Sequence, residues 1–255
     1  MLKILAWEFG KLIRLRSVQI GLVAALVLPF LWAFAPGLRG QFGLELVSGW
    51  QVPALVLRTS MEFLFPFLVA IACAEVLGSE VSMGTLKSVL LRPSPRWRLL
   101  LAKVVMVLLY PVLLLFVSLL GSLVAGLPFG LTGFFGGTGL GAGDFAGVGY
   151  MSPGTAIAEV FRAHLLAAMV LWPLSALALL FSVIFLNTTS AALAAVSTLF
   201  LTRLFVVFPV LKDFLFTSYL NLYVSQNVGI GLSLMIIYAV GFGGLALLIF
   251  ERKDI

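Results

Sequence analysis

Long apolar runs alternate with short polar segments along the whole chain. The hydrocarbon core of a bilayer is about 30 Å thick, so a helix that crosses it needs about 20 mostly apolar residues. Six runs reach that length, and none shows the short alternating strands of a membrane β-barrel. The pattern therefore predicts an all-α integral membrane protein. The predicted spans are residues 18–35, 59–77, 104–127, 165–186, 191–210 and 230–250.

The composition supports this class and excludes others. Of the 255 residues, 62% are hydrophobic and 10% are charged, against roughly 25% charged in soluble domains. The net charge is +6, but the basic residues lie between apolar runs rather than on one face, so no nucleic-acid partner is expected. Cys73 is the only cysteine, which excludes an internal disulfide and a thiolate metal centre. We expect one transmembrane domain, residues 1–255, with no metal of its own.

The distribution of Lys and Arg predicts how the domain lies in the membrane. Positive charge is enriched on the cytoplasmic side of membrane proteins. Eleven of the 16 Lys and Arg residues precede the first span, lie between the second and third spans or at their ends, or follow the sixth span. Both termini and the loop at residues 79–98 are therefore predicted to be cytoplasmic, in a multi-pass protein of the cell membrane.

Three segments outside the spans have patterns of their own. Residues 1–17 place apolar side chains on one face and basic ones on another, which predicts an amphipathic elbow helix in the membrane interface; a simple orientation signal is the alternative. Residues 127–155 are rich in glycine, and we expect a flexible external loop there. Residues 211–228 mix Phe and Tyr with polar residues, which is typical of a short interfacial helix or re-entrant turn on the external side.

The loop after the second span carries the most informative pattern, AEVLGSEVSMGTLKSVLLRPSPRWRLLLAK at residues 74–103. This segment is too polar to cross the membrane. Residues 80–92 can form a short helix with exposed apolar side chains, and Pro93 would end it. Such a helix beneath the membrane is suited to docking on another protein, whereas a solvated turn is the alternative.

A glutamate ends the second span, followed by Glu-x-x-x-Gly-Thr-Leu, further apolar residues, a proline, an arginine and a lysine that opens the third span. The residues concerned are Glu75, Glu80, Gly84, Thr85, Leu86, Leu90, Leu91, Pro93, Arg96 and Lys103. This motif, in this topology, resembles the permease subunits of type 2 ATP-binding-cassette (ABC) exporters. Two departures are Pro95, where serine is usual, and the large Gly-rich external loop.

The resemblance implies that the loop holds a coupling helix, which docks on a separate cytoplasmic ATPase subunit. The ATPase-docking residues would be Glu80, Gly84, Thr85, Leu86, Leu90, Leu91, Arg92 and Pro93. The chain has no GxxxxGK[ST] motif, so we expect a transport subunit rather than an enzyme, with ATP and Mg²⁺ bound by the partner. Its expected function is export of an apolar or amphipathic substrate, such as a lipid, a drug or a peptide-like molecule.

The resemblance also implies two permeases in each complex, and we expect a homodimer with the route at the seam. Small residues in the fifth and sixth spans are candidates for close helix contacts, either at that seam or within one subunit. They are Ala191, Ala192, Ala194, Ala195, Gly229, Gly231, Gly241, Gly243 and Gly244.

Other functional classes fit the sequence less well. An intramembrane protease is disfavoured, because the single histidine, His164, belongs to no catalytic motif, and we expect it to form interfacial hydrogen bonds. An ATP-independent secondary transporter or channel is the alternative function. Such proteins usually carry charged relays near the membrane midplane, and this chain has few charges there.

Two charged residues interrupt the predicted spans, Glu62 in the second and Arg203 in the fifth. At about 1.5 Å per residue, both lie about 20 Å from the predicted cytoplasmic side. Because they are level, we expect an intramembrane charge pair, formed either within a subunit or between subunits. The alternatives are that Glu62 pairs with Arg58 on its own helix and that Arg203 extends towards the headgroups.

Overall fold

The computed structural model describes residues 1–35, 46–85, 96–140, 149–225 and 228–253. Within these ranges the protein is a helical bundle with one small hairpin. The helices are α1 (Leu2–Arg14), α2 (Arg16–Phe34), α3 (Val52–Ser60), α4 (Leu64–Ser82), α5 (Arg96–Gly126), α6 (Pro153–Val170), α7 (Trp172–Phe185), α8 (Thr188–Phe205), α9 (Pro209–Lys212) and α10 (Gly229–Arg252). The strands are β1 (Phe134–Phe135) and β2 (Tyr150–Met151), which pair antiparallel.

In the described ranges, six helical segments are long and apolar enough to cross a membrane, with mean hydropathy between 1.3 and 2.7. They are α2, α4, α5, the consecutive helices α6 and α7, α8 and α10. The prediction of an all-α integral membrane protein is thereby confirmed. The predicted N-terminal helix is present as α1, although its position at a membrane interface stays a prediction.

The second span begins later than the sequence predicted. Residues 59–77 were expected to be one helix, but α3 ends at Ser60 and α4 begins at Leu64. Phe63, between them, has a non-helical backbone (φ −140°, ψ −53°). Pro66 follows in the first turn of α4, the one part of a helix where proline is well tolerated. The proline therefore favours a new helix start, and the second span extends to Ser82.

The fourth span is longer than predicted. The sequence indicated residues 165–186, whereas α6 and α7 together run over residues 153–185 with a turn at Leu171. Pro173 is the second residue of α7, which explains the interruption. Polar residues in α6, including Glu159, lower its mean hydropathy, so the hydropathy pattern did not indicate that the span begins there. The Glu159 carboxylate accepts a hydrogen bond from the buried Thr138 hydroxyl at 2.6 Å, so α6 accommodates it.

Helix α7 lies at the centre of the bundle and packs against α4, α5, α8 and α10. Ten of its 14 residues are buried. Helix α2 packs along α5, and α8 packs on α4 and α7. The backbone of α4 approaches the start of α8 so closely that a Cβ atom added at Gly78 would lie 2.8 Å from the Thr188 Cα. Glycine at this position therefore sets the spacing between two spans.

Both ends of the described chain lie at one end of the bundle, which we call the basal end. Helix α1 contacts the first turns of α5 there. Lys253 donates hydrogen bonds to the last carbonyls of α7, Val183 O at 2.9 Å and Ile184 O at 2.6 Å. A lysine at a helix C-terminus satisfies carbonyl groups that have no partner in the helix.

The Gly-rich segment lies at the opposite end, where its carbonyl groups accept hydrogen bonds from Trp50 and Gln51, just before α3. Trp50 Nε1 donates to Leu131 O at 2.9 Å, and Gln51 Nε2 donates to Gly137 O at 3.1 Å. Thr138 is fully buried. These contacts pack parts of residues 127–140 against the bundle, while residues 141–148 lie outside the described part of the chain. The flexibility of the segment stays a prediction.

The segment predicted to hold a short interfacial helix, residues 211–228, begins in the second half of α9, which ends at Lys212. It contains two short 3₁₀ helices, Phe216–Tyr219 and Leu222–Val224. Tyr238 of α10 donates a hydrogen bond to Phe214 O at 2.5 Å and holds the segment on the bundle. Residues 226 and 227 lie outside the described ranges.

Candidate coupling site

Four charged side chains meet at the basal end, where α1, α4 and α5 converge. We call Glu8, Lys11, Glu80 and Lys103 the charge cluster. Lys103 Nζ lies 2.9 Å from Glu8 Oε2 and 2.9 Å from Glu80 Oε1. It also donates to Val76 O at 3.3 Å. Lys103 is only 1% exposed and Glu8 2%, so these ion pairs lie inside the protein rather than on its surface.

Lys11 completes the cluster from the more exposed side. Its Nζ atom lies 2.6 Å from Glu8 Oε1, an ion pair without hydrogen-bond geometry, and it also contacts Glu80. The ammonium group stands 3.6 Å from the centre of the Trp7 ring, a cation–π contact. Two carboxylates and two ammonium groups give a neutral cluster, which reduces the cost of burying each charge.

The helical period explains why α1 supplies an acid to a buried site. Glu8 lies three residues after Leu5 and four before Leu12, so it shares their face of the helix. Leu12 is buried and Leu5 packs against the core. Glu8 therefore points into the bundle with the apolar side chains, and the long Lys103 side chain of α5 reaches it.

A second polar contact joins the end of α4 to the start of α2. The Ser17 backbone N–H donates to Glu75 Oε2 at 3.2 Å, and the Ser17 hydroxyl bonds the same oxygen. Ser17 lies in the first turn of α2, where backbone N–H groups have no partner in the helix and a carboxylate is stabilising. The last two turns of α4 are thus tied to α1, α2 and α5.

The structure changes the interpretation of the predicted docking helix. Glu80 does not begin a separate helix. It lies in the last turns of α4, is 8% exposed, and is part of the charge cluster. Gly84 follows with φ +67°, and Thr85 Oγ1 donates to Glu80 O at 3.2 Å. Glu80 is therefore an internal contact. The other predicted docking residues, Leu86, Leu90, Leu91, Arg92 and Pro93, lie outside the described residues.

Glu62 and Arg203 are not brought together within one chain. Glu62 lies in the turn between α3 and α4, and Arg203 lies in the last turn of α8. None of the ion pairs found in the described ranges joins them. The pair predicted within a subunit is therefore not formed, and a pair between two copies stays a prediction.

Glu62 instead lines a cavity of about 480 Å³ at the end opposite the charge cluster, together with Arg58 and Asn221. Tyr223 closes one side of this cavity. Burial raises the pKa of the Tyr223 phenol to about 12, and the neighbouring Arg58 lowers it by a smaller amount. The hydroxyl therefore stays protonated at physiological pH.

The sequence pattern had not assigned a role to Glu8. The available signal was an acidic residue on the apolar face of an amphipathic helix, since a charge at such a position needs a buried partner. The identity of that partner, 95 positions away along the chain, could not be obtained from local spacing.

Among the described residues, six apolar spans and a basic N-terminal helix with a buried charge cluster define a multi-pass membrane protein. A family model described as ABC-2 family transporter protein matches residues 4–151, more than half of the chain. The chain belongs to this family of ABC permease subunits, which associate with an ABC ATPase. The matched range contains the whole charge cluster. None of the curated proteins compared with the chain matches it.

Proposed function

We propose that this chain is the membrane-spanning subunit of an ATP-driven exporter, in which a separate ATPase subunit hydrolyses ATP. The observation that carries the proposal is the family match over residues 4–151. The sequence has no GxxxxGK[ST] motif, which agrees with ATP hydrolysis on a separate chain. The contact with that ATPase is the predicted docking helix at residues 80–92, without residues 80–82, which belong to α4.

The charge cluster suggests how movement of the docking loop enters the membrane. The loop leaves α4 shortly after Glu80 and enters α5 at Arg96, seven residues before Lys103. Glu80 of α4 and Lys103 of α5 are joined by an ion pair of 2.9 Å. Helix α1 is joined to Lys103 by Glu8 and to Glu80 by Lys11. A force on the loop therefore acts on α1, α4 and α5 together rather than bending one helix.

Helix α5 can carry this displacement to the far side of the membrane. Its 31 residues, at about 1.5 Å each, span roughly 46 Å. At its far end Gly126 packs backbone to backbone against Gly49, where an added Cβ would lie 2.2 Å from Gly126 O. Movement at the basal end is thereby linked to the folded Gly-rich segment at the other end, which the proposed orientation places outside the cell.

The proposed orientation, with both termini cytoplasmic, rests on the eleven basic residues of that side. It can be tested with introduced cysteines, because the only native one, Cys73, is fully buried. A membrane-impermeant maleimide applied to intact cells should label Asp213→Cys and leave Lys3→Cys unlabelled. The reverse pattern would contradict the orientation.

We further propose that two copies of the chain form the transport route. Several small residues pack against other helices within one subunit. Ala191 and Ala195 are buried, and a Cβ added at Gly243 would lie 3.3 Å from the Val104 side chain. Gly241 and Gly244 of α10 differ, because no described atom lies within 4 Å of a Cβ added there.

The open glycines share an exposed face of α10 with Ile237 and Val240, which are 65% and 68% exposed. Small residues on such a face allow a second helix to approach closely. A Gly241→Cys variant should form a disulfide between two copies in the membrane. Native mass spectrometry that finds only monomer, with or without the ATPase, would exclude the homodimer.

The proposed cargo is apolar or amphipathic. The chain contains 22 phenylalanines and few charges in its spans, so it offers little to bind a sugar or a bare ion. Export should be measured with the ATPase present, by the ATP-dependent movement of a fluorescent phospholipid and of a labelled sugar across proteoliposomes. Movement of the sugar alone would contradict the proposed cargo.

A further inference from the structure

A small cavity lies between α5 and α6, away from the charge cluster and from the cavity at Glu62. Its volume is about 80 Å³. The wall is apolar, with Leu115 and Phe116 from α5 and Phe161 and Leu165 from α6, and His164 is the one polar side chain among the lining residues. The structure thus places a single hydrogen-bonding group in an otherwise apolar site.

The hydrogen bonds of His164 fix what this group can do. The imidazole is 4% exposed, and its Nδ1 lies 2.8 Å from Val160 O. A carbonyl oxygen can only accept, so Nδ1 carries the proton and donates. In the neutral ring Nε2 is then an acceptor. This Nε2 atom is buried and has no hydrogen-bond partner among the described residues.

A buried acceptor without a donor is unfavourable, and water is a poor candidate for the donor. A buried water needs 2–4 polar partners, whereas the lining residues supply one. The volume corresponds to two or three groups of about 30 Å³, the size of a water molecule. It can therefore hold a hydroxyl group with the adjoining methylene groups of an apolar chain.

The position of the cavity limits which molecules reach it. His164 lies eleven residues after Pro153 in α6, about 17 Å from the start of that helix. Phe116, Phe161 and Leu165, around the opening, are 48%, 57% and 48% exposed. The site thus opens on an apolar part of the bundle's outer surface, near the predicted external end of the fourth span, where the acyl chains of lipids have access.

We infer that this cavity binds lipid-soluble molecules that carry one hydroxyl group on an apolar chain, with the hydroxyl donating a hydrogen bond to His164 Nε2. A hydroxylated acyl chain is the simplest member of this class. A charged headgroup is excluded, because none of the lining side chains carries an opposite charge. The site does not depend on the proposed export activity.

The chain offers an unusually direct test, since His164 is its only histidine. Protein purified through a tag without histidine, with nitrogen-15 in its imidazole rings, gives ring signals from this residue alone. It is placed in phosphatidylcholine bilayers and titrated with a stearate methyl ester that has a hydroxyl in mid-chain. The unsubstituted stearate ester is the matched control. The Nε2 signal should move with the hydroxylated ester only, and the Nδ1 signal should stay in place.

Two results would overturn the inference. One is an equal response to both esters. The other is an Nε2 atom that is already hydrogen-bonded before any ester is added and does not respond, as bound water or a second copy of the chain would produce. As a second readout, His164→Phe should bind the hydroxylated ester about tenfold more weakly and the unsubstituted ester as before. An equal loss for both esters would mean that cavity shape, rather than the hydrogen bond, governs binding.

Discussion

Replacing Lys103 with methionine removes one charge from the charge cluster while keeping a long, unbranched side chain. The variant loses the contacts to Glu8 Oε2 and Glu80 Oε1, both 2.9 Å, and the hydrogen bond to Val76 O. Lys11 then faces two carboxylates alone, and the cluster has a net charge of −1. The cluster should become the weakest point of the basal end.

The size of the effect follows from burial. Removing one partner of a buried ion pair costs about 3–5 kcal/mol, because the other charge is left without compensation. Lys11 still compensates part of the charge, but its side chain is 30% exposed and its contribution is weakened by solvent. We therefore expect Lys103→Met to lower the free energy of unfolding by about 3 kcal/mol, roughly a hundredfold in the folded-to-unfolded ratio.

The assay is a denaturant titration of the purified protein in mild detergent. Lys3→Met is the matched control, since Lys3 is an exposed lysine of α1, the helix that supplies Glu8 and Lys11, and it should change little. Adding Glu8→Gln to Lys103→Met restores a neutral cluster and should recover about half of the lost stability. The reasoning is refuted if Lys103→Met unfolds like the original protein, or if the second substitution only adds its own loss.

Three further predictions concern other parts of the molecule. Leu86→Asp combined with Leu90→Asp should remove two apolar anchors and cost about 2 kcal/mol or more of docking energy. The double variant should abolish substrate-stimulated ATP hydrolysis by the assembled complex, and unchanged stimulation would disprove the docking assignment. Glu62→Ala and Arg203→Ala should show coupling in a double-mutant cycle of the dimer, and simple addition would exclude a pair between copies. Gly78→Ala should lower the free energy of unfolding by about 1–3 kcal/mol through overpacking.

The Gly78→Ala prediction has a control on α1. A Cβ added at Gly78 would lie 2.9 Å from the backbone nitrogen of Thr188, whereas one added at Gly10 would meet no described atom within 4 Å. Gly10→Ala should therefore be neutral or slightly stabilising in the same denaturant titration, because alanine favours the helix. Equal losses at both positions would contradict the role of close packing between α4 and α8.

The sequence predicted the number and type of the spans because hydropathy measures the property that the membrane selects. It did not predict where the second span begins, since residues 59–63 contain no glycine or proline to mark a break, and the break depends on the backbone at Phe63. Pro66 was the local clue, because proline is common near helix starts. The start of the fourth span was missed because Glu159 finds its partner, Thr138, in a different segment.

The Gly-rich segment and the charge cluster show a second limit of sequence patterns. Glycine content indicates backbone freedom, but it does not indicate that Trp50 and Gln51 donate hydrogen bonds to carbonyl groups of that segment. Likewise, the motif singled out Glu80 and Lys103 without indicating that they meet. Contacts between distant segments depend on how the helices pack against each other. The periodicity of a single segment carries no information on this packing.

Co-purification from native membranes tests most directly whether a separate ATPase drives this permease. The tagged chain should bring down an ABC ATPase in equal amount, and the reconstituted complex should move an amphipathic substrate only when ATP is hydrolysed. If the chain purifies without an ATPase and transports the same substrate in the absence of ATP, it is a secondary transporter or channel and the account is wrong.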